Sequence, residues 1–220
     1  MPWGTPFPTR FGSHFLWTTK PRWLHEILAS EGLEKPILAG QSVGGYVAQC
    51  YFERFPSSAG GFVSIDSAPL QKKYTTAAEI WLLRRMEPVY RLCPWKTLLK
   101  SGSSGVADTE YGKQLMLSMM NRYSKPEYCA LTGHGFRLLA DAMATDRPYR
   151  VDCPCLLLCG AHDRAGSAKR YNRRRAKETG LPIAWLKNAG HSSNTDVPGE
   201  VNRLITQFTQ CAESRQPFPV

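Results

Sequence analysis

The short apolar run Pro36-Ile37-Leu38-Ala39-Gly40 passes through Gly40-Gln41-Ser42-Val43-Gly44 into a helical pattern from Tyr46 to Phe55. This junction constrains the chain more than any other feature. An apolar run of that length, bounded by glycine, reads as a buried strand. Gly61-Phe62-Val63-Ser64-Ile65-Asp66 reads as a second strand. Strand, helix and strand in succession make a βαβ unit, and so an α/β fold built on a parallel sheet.

The same rhythm returns near the end of the chain. Cys155-Leu156-Leu157-Leu158-Cys159-Gly160 is strand-like, Ser167 to Thr179 is helical up to Gly180, and Ile183-Ala184-Trp185-Leu186 is strand-like again. Gly199 to Cys211 closes as a helix, with Val201, Leu204, Ile205 and Phe208 on one face. Between the two βα stretches, residues 68–150 contain no convincing strand. Thr76-Ala77-Ala78-Glu79 is a capping box for a helix that Pro88 ends or kinks. Trp95 to Leu99 reads as a short helix, and Ser101-Gly102-Ser103-Ser104-Gly105 as a loop. Asp108 is placed to cap a helix carrying Tyr111, Leu115 and Met119, and Pro126 opens a last helix to about Ala144. The expected division is therefore a core of residues 1–67 and 151–220 with an all-helical insertion at 68–150. Pro21 opens a helix that Gly32 ends. Residues 1–19 hold three Pro, three Phe, two Trp and no acidic residue, without a helical or strand period. That break in texture reads as a leader not native to the fold.

Composition narrows the function classes. The chain has 220 residues, enough for one sizeable domain, and no apolar run long enough to cross a bilayer. Seven cysteines in no framework spacing read as reduced, mostly buried thiols, hence a cytoplasmic protein. Cys153, Cys155 and Cys159 share a face of one strand; with no fourth ligand at a recognisable spacing they read as packing rather than a metal cluster. The net charge of +10 raises the question of an anionic partner. Much of it lies on Lys169, Arg170, Arg173, Arg174, Arg175 and Lys177, which read as a solvated helix face, and no nucleic-acid motif accompanies them. Met86, Met116, Met119, Met120 and Met143 all fall in the insertion, and suit a lid over an apolar substrate as well as ordinary core.

The strand-to-helix junction also carries chemistry. Its turn would hold Ser42 in a strained conformation above the sheet, with glycines allowing the backbone to pass closely. A serine hydroxyl needs a base. Of the five histidines, His191 lies in the loop after the last strand; His14, His25, His134 and His162 have no such placement. A base needs a carboxylate to fix its tautomer. Asp163, three residues after Gly160, and Asp66, ending the second strand, both lie at carboxyl ends of strands, where α/β sheets gather their chemistry.

These residues resemble the α/β-hydrolase family. Gly40 to Gly45 is similar to its nucleophile elbow, Gly160-Ala161-His162-Asp163 to its acid loop, and Gly190-His191 with Asp196 and Pro198 to its histidine loop. The resemblance implies a serine hydrolase with Ser42, Asp163 and His191 as a catalytic triad in that chain order. It implies Val43 as a backbone oxyanion donor, and residues 68–150 as a helical cap. Serine at the elbow argues against the branches that use aspartate there. The expected chemistry is cleavage of an ester or related acyl bond of a small-molecule substrate through an acyl-enzyme, with no cofactor or metal and without nucleic acid or membrane as partner. The family's N-terminal strands and its His-Gly loop have no counterpart before Ser42, so the expected sheet has four strands with the elbow strand at an edge. A hydrolase-fold protein that is inactive or fragmentary and binds small molecules or partners is the alternative.

Overall fold

The computed structural model describes residues 19–147 and 149–219. Residues 1–18 lie outside them, and with them almost all of the expected leader and His14. In chain order, α1 is Lys20–Ser30, β1 Ile37–Gln41, α2 Val43–Arg54 and β2 Gly61–Ile65. A short 3-10 turn at Lys72–Tyr74 leads to α3 Ala77–Leu83, α4 Met86–Leu92, α5 Trp95–Val106, α6 Glu110–Met120 and α7 Lys125–Thr145. The core resumes with β3 Cys155–Gly160, α8 Ala168–Thr179, β4 Ile183–Leu186, α9 Ser193–Asp196 and α10 Pro198–Glu213.

The four strands are all parallel, in the order β1-β2-β3-β4, so β1 is an edge strand among the described residues. Burial follows from that order. Every residue of β2 and β3 is buried, whereas β1 and β4 are only partly so. Alternate residues of the central strands serve opposite layers. Phe62, Cys155 and Leu157 pack with Leu28, Leu38, Tyr51 and Phe52 from α1, β1 and α2. Val63, Ile65, Leu156 and Leu158 pack with Val201, Leu204 and Phe208 from α10. Leu156, Leu157 and Leu158 are wholly buried, each worth about 1.5–3 kcal/mol in apolar burial.

The segment between β2 and β3 is helical, as its sequence implies. Thr76 and Glu79 form the capping box of α3, and Ser124 and Glu127 form a second at α7. This segment shares its core with the sheet's helices. Ile80, Ala140 and Met143 pack with Tyr46 and Cys50 of α2 and Tyr171 of α8. Met120 is also buried, while Met119 is exposed.

Three local expectations are corrected. Ser101 to Gly105 is not a loop but the second half of α5. The hydroxyls of Ser101, Ser103 and Ser104 turn back onto the carbonyls of Leu98 and Lys100, three or four residues earlier, so they do not compete with the helix. Bare backbone at Gly102 meets the Met120 thioether, where a Cβ would lie 3.0 Å from its methyl. Second, Pro88 ends no helix; it sits in the first turn of α4, where its missing N–H costs little, and the break falls earlier, between Leu83 and Met86. Third, α6 is capped by Thr109, whose Oγ1 accepts the Gly112 N–H at 3.1 Å; Asp108 instead faces His162. The three neighbouring cysteines, read as packing, do not gather into one ligand set among the described residues. Cys153 precedes the strand, Cys155 packs against Phe62 and Leu157, and Cys159 approaches Asp66 and Asp163. Burial pushes all three thiols up.

The basic helix α8 is less bare than its sequence suggests. Arg170 pairs with Glu79, Arg174 with Glu178, and Arg173 lies over the Trp185 ring. Arg175 is buried.

Candidate active site

Ser42 occupies the turn between β1 and α2 with φ 47° and ψ −112°. Non-glycine residues seldom hold a positive φ of this kind, and several bonds fix it here. The Ser42 N–H donates to the Ile65 carbonyl at 2.8 Å, and the Ser67 hydroxyl donates to the Ser42 carbonyl. The flanking glycines are sterically required. A Cβ on Gly40 would overlap the backbone of Gly44, and one on Gly45 would overlap Ser67. Val43, the first residue of α2, stands 62% exposed beside the serine. The leading N–H groups of a helix have no partner inside it and carry its positive dipole end.

The loops that follow β3 and β4 supply the other two groups. They run back to back: Gly160 lies against the Gly190 carbonyl so closely that a Cβ would clash, and the His162 N–H donates to the Ala189 carbonyl. His191 Nε2 lies 2.9 Å from Ser42 Oγ, and its Nδ1 lies 3.0 Å from Asp163 Oδ2. The second oxygen of Asp163 accepts the Ala165 N–H at 2.8 Å. The Asp163 side chain is 1% exposed and that of His191 13%. Burial alone would lower the His191 pKa, but the hydrogen bond and charge of Asp163 outweigh it, with a further push from Asp66, so the pKa stands above the ordinary histidine value.

The two aspartates left open by the sequence are thus separated by geometry. Asp66 makes no hydrogen bond to His191. One of its oxygens accepts the Gly160 N–H at 2.8 Å; the other accepts the Ser193 N–H at 3.1 Å and hydroxyl at 2.5 Å. Burial pushes its pKa up to about 6, only partly offset by those donors and by the nearby imidazole. Asp66, Cys159 and Asp163 bring ligand-type atoms within 4.8 Å of one another. Both carboxylates are already committed, Asp66 to three donors and Asp163 to His191 and Ala165, so the trio is a poor fit to a resident cation.

Other residues support the site through contacts that the sequence does not reveal. Gln41 Nε2 donates to the His191 carbonyl at 2.7 Å. Ser67 and Ser193 hold the elbow and Asp66 respectively. Asp196 accepts the Gly190 N–H at 2.9 Å. Only Asp196 had a signal, an acidic residue at a short fixed distance after His191. Among the described residues, neither His25 nor His162 bonds to Ser42, Asp163 or His191 through its ring. His25 stacks on Phe55 with ring centroids 4.1 Å apart, and His162 pairs with Asp108 at the surface.

Comparison with known proteins bears on the fold and the family. Solved structures with the same fold include a thermophilic esterase from Thermogutta terrifontis. It is 21% identical with a TM-score of 0.60, over 86% of this chain and 70% of that one. An esterase from Exiguobacterium antarcticum is 15% identical with a TM-score of 0.66, over 90% and 76%. A Mycobacterium tuberculosis H37Rv protein named as a candidate non-haem bromoperoxidase is 14% identical with a TM-score of 0.66, over 89% and 74%. At such identities the likeness is one of fold. No protein of curated function matches the sequence. The model of the alpha/beta hydrolase family matches residues 4–204, a span that takes in the elbow, both loops, the helical insertion and most of the N-terminal stretch. The chain belongs to the alpha/beta hydrolase family.

Proposed function

We propose that the chain is a serine hydrolase that cleaves an ester or related acyl bond through an acyl-enzyme. The observation that carries the reading is the continuous hydrogen-bonded line from Ser42 Oγ through His191 to Asp163, at 2.9 and 3.0 Å. In this reading Ser42 attacks the acyl carbonyl as His191 Nε2 takes its proton, and Asp163 holds the imidazole in the required tautomer. The imidazolium then protonates the leaving alcohol. Water, deprotonated by the same nitrogen, attacks the acyl-enzyme and releases the acid. The Val43 N–H, at the positive end of α2, faces the charge that develops on the carbonyl oxygen. Residues 68–150 act as a cap over this centre. Support for an ester substrate also comes from the names of the Thermogutta and Exiguobacterium proteins.

Labelling with a fluorophosphonate, followed by peptide mass spectrometry, tests the assignment. Label is expected on Ser42, with loss of both label and p-nitrophenyl ester turnover in Ser42→Ala. Wild-type turnover by Ser42→Ala would refute the assignment, and absence of both label and turnover in the unaltered chain would favour a hydrolase-fold binding protein.

A further inference from the structure

His191 sits in a four-residue stretch whose backbone is held at every residue. The Gly190 N–H goes to Asp196, the His191 carbonyl to Gln41, the Ser192 N–H to the Val106 carbonyl at 2.7 Å, and the Ser193 N–H to Asp66. Two of these four ties lead toward the helical insertion. Val106 is the last residue of α5. Asp196, buried and six residues beyond Gly190, also accepts the Asp108 N–H at 2.8 Å, the Thr109 N–H at 2.9 Å and the Thr109 hydroxyl at 2.7 Å. One carboxylate therefore joins the residue before His191 to the start of α6. The close fit is visible in two glycines. A Cβ on Gly112 would lie 2.9 Å from Asp196 Oδ1, and one on Gly190 would lie 3.2 Å from the Val106 carbonyl.

From this juxtaposition we infer that Asp196 is a positioning residue that makes the placement of His191 depend on the helical insertion. The inference rests on the proposed Ser42–His191–Asp163 chemistry. A carboxylate with four donors from two chain segments is a rigid clamp, because each donor removes one direction of movement. Burial would raise the Asp196 pKa, but the Thr109 hydroxyl and the three N–H groups outweigh it, so the clamp stays ionised. Withdrawing the α5–α6 turn would remove the Val106 tie from the histidine loop and three of the four donors that hold Asp196, leaving its bond to Gly190 as the only brace. Gln41 and Asp66, which belong to the sheet, would remain. The insertion is then a part of the catalytic frame as well as a cover. A substrate that shifts the start of α6 would shift the base.

Two variants and two readouts test this. Asp196→Asn keeps one carbonyl acceptor but loses the charge and half the acceptors. Thr109→Val keeps the Asp196–Gly190 bond and removes only the insertion's hydroxyl donor, together with the cap of α6. On a p-nitrophenyl ester, Asp196→Asn is expected to lower kcat about 10- to 100-fold, the scale of a small misplacement of a catalytic group, with KM little changed. Thr109→Val is expected to lower it about threefold or more on the same ground. In both, the acid limb of the kcat/KM profile should move to lower pH, because a displaced imidazole loses the Asp163 contact that raises its pKa. The groups that face His191 are Ser42 from the elbow, Asp163 from the β3 loop and Asp66 from the end of β2; none is altered in either variant. A purely structural role would lower Tm and the active fraction and leave the limb in place. That result in both variants overturns the inference. So does wild-type kcat and limb in Thr109→Val beside a slow Asp196→Asn, since Asp196 would then serve only its own turn. If Asp196→Asn does not fold, Thr109→Val decides alone by the same readouts. Turnover surviving in Ser42→Ala is a separate result, and overturns the parent chemistry and this inference together.

Discussion

At the scale of single residues, the distinction between Asp163 and Asp66 has measurable consequences. Asp163 touches the imidazole, so Asp163→Asn is expected to lower kcat by about 10⁴ through the wrong histidine tautomer. Asp66→Asn removes a neighbouring charge and one acceptor oxygen facing Gly160 or Ser193 but leaves the His191–Asp163 contact, and its loss of rate should be far smaller. Steady-state kinetics of the two variants would expose the reverse order if Asp66 were the acid. The pH dependence of activity and stability should run in opposite directions. His191 must be neutral to act as base, so kcat/KM is expected to fall as pH drops through a pKa above the ordinary 6.5. The same raised pKa adds stability below the unfolded value, lost as pH rises through the folded one. Asp66 acts in the same sense. Its folded pKa near 6 exceeds the unfolded carboxylate value, so folding is favoured as pH falls between them. Urea midpoints should therefore rise from pH 8 to 6 while activity falls; a parallel fall in both would contradict the two shifts. Ser42, Asp163 and His191 were readable because each lies just beyond a strand, where the topology alone brings them to one end of the sheet. Gln41 and Asp196 were not, because they bind backbone atoms, 150 residues away in the case of Gln41 and His191, and backbone atoms leave no trace in a sequence.

At the scale of elements, glycine decides which helices can touch. Gly133 in α7 lies against Glu87 of α4, where a Cβ would stand 3.0 Å from the Glu87 Cα. Backbone cannot yield as a side chain tip can, so Gly133→Ala is expected to destabilise by about 1–3 kcal/mol. Gly105, inside α5 with nothing within 4 Å of its Cβ position, is the contrasting case. Gly105→Ala should stabilise by about 0.5–1 kcal/mol through lower backbone entropy in the unfolded chain. Thermal or urea unfolding of the pair checks both signs. The strands and the long capped helices were readable from apolar period and capping boxes. The second half of α5 was not. Serine and glycine are poor helix formers on average, and only the fold reveals that Gly102 accommodates Met120 and that the hydroxyls satisfy themselves on the preceding turn.

At the scale of the whole molecule, the helical insertion shares a core with helices α2 and α8 that flank the sheet. Ile80, Ala140 and Met143 belong to the same buried cluster as Tyr46, Cys50 and Tyr171. Unfolding in urea is accordingly expected to be a single transition, coincident by tryptophan fluorescence, helix content and fluorophosphonate labelling. A separate early transition in helix content would show that residues 68–150 form an independent unit. The parallel sheet followed from the succession of strand, helix and strand, and the place of β1 at its edge among the described residues from the resemblance to the family. The insertion's attachment to the histidine loop did not, because nothing in the sequence marks where a helical segment will touch the sheet that carries it.

On the proposed chemistry, the nucleophile Ser42 and its base His191 are 149 residues apart along the chain, with the whole insertion between them. During synthesis at about 5–20 residues per second, the elbow therefore precedes the imidazole from the ribosome by about 7–30 seconds. Throughout that interval Ser42 has no proton acceptor and the nascent polypeptide can neither hydrolyse a metabolite nor trap one covalently. Catalytic competence arrives in a single late step, after the insertion has been translated and can meet the histidine loop. The ordering of residues along the gene thus acts as a timer on an otherwise reactive hydroxyl.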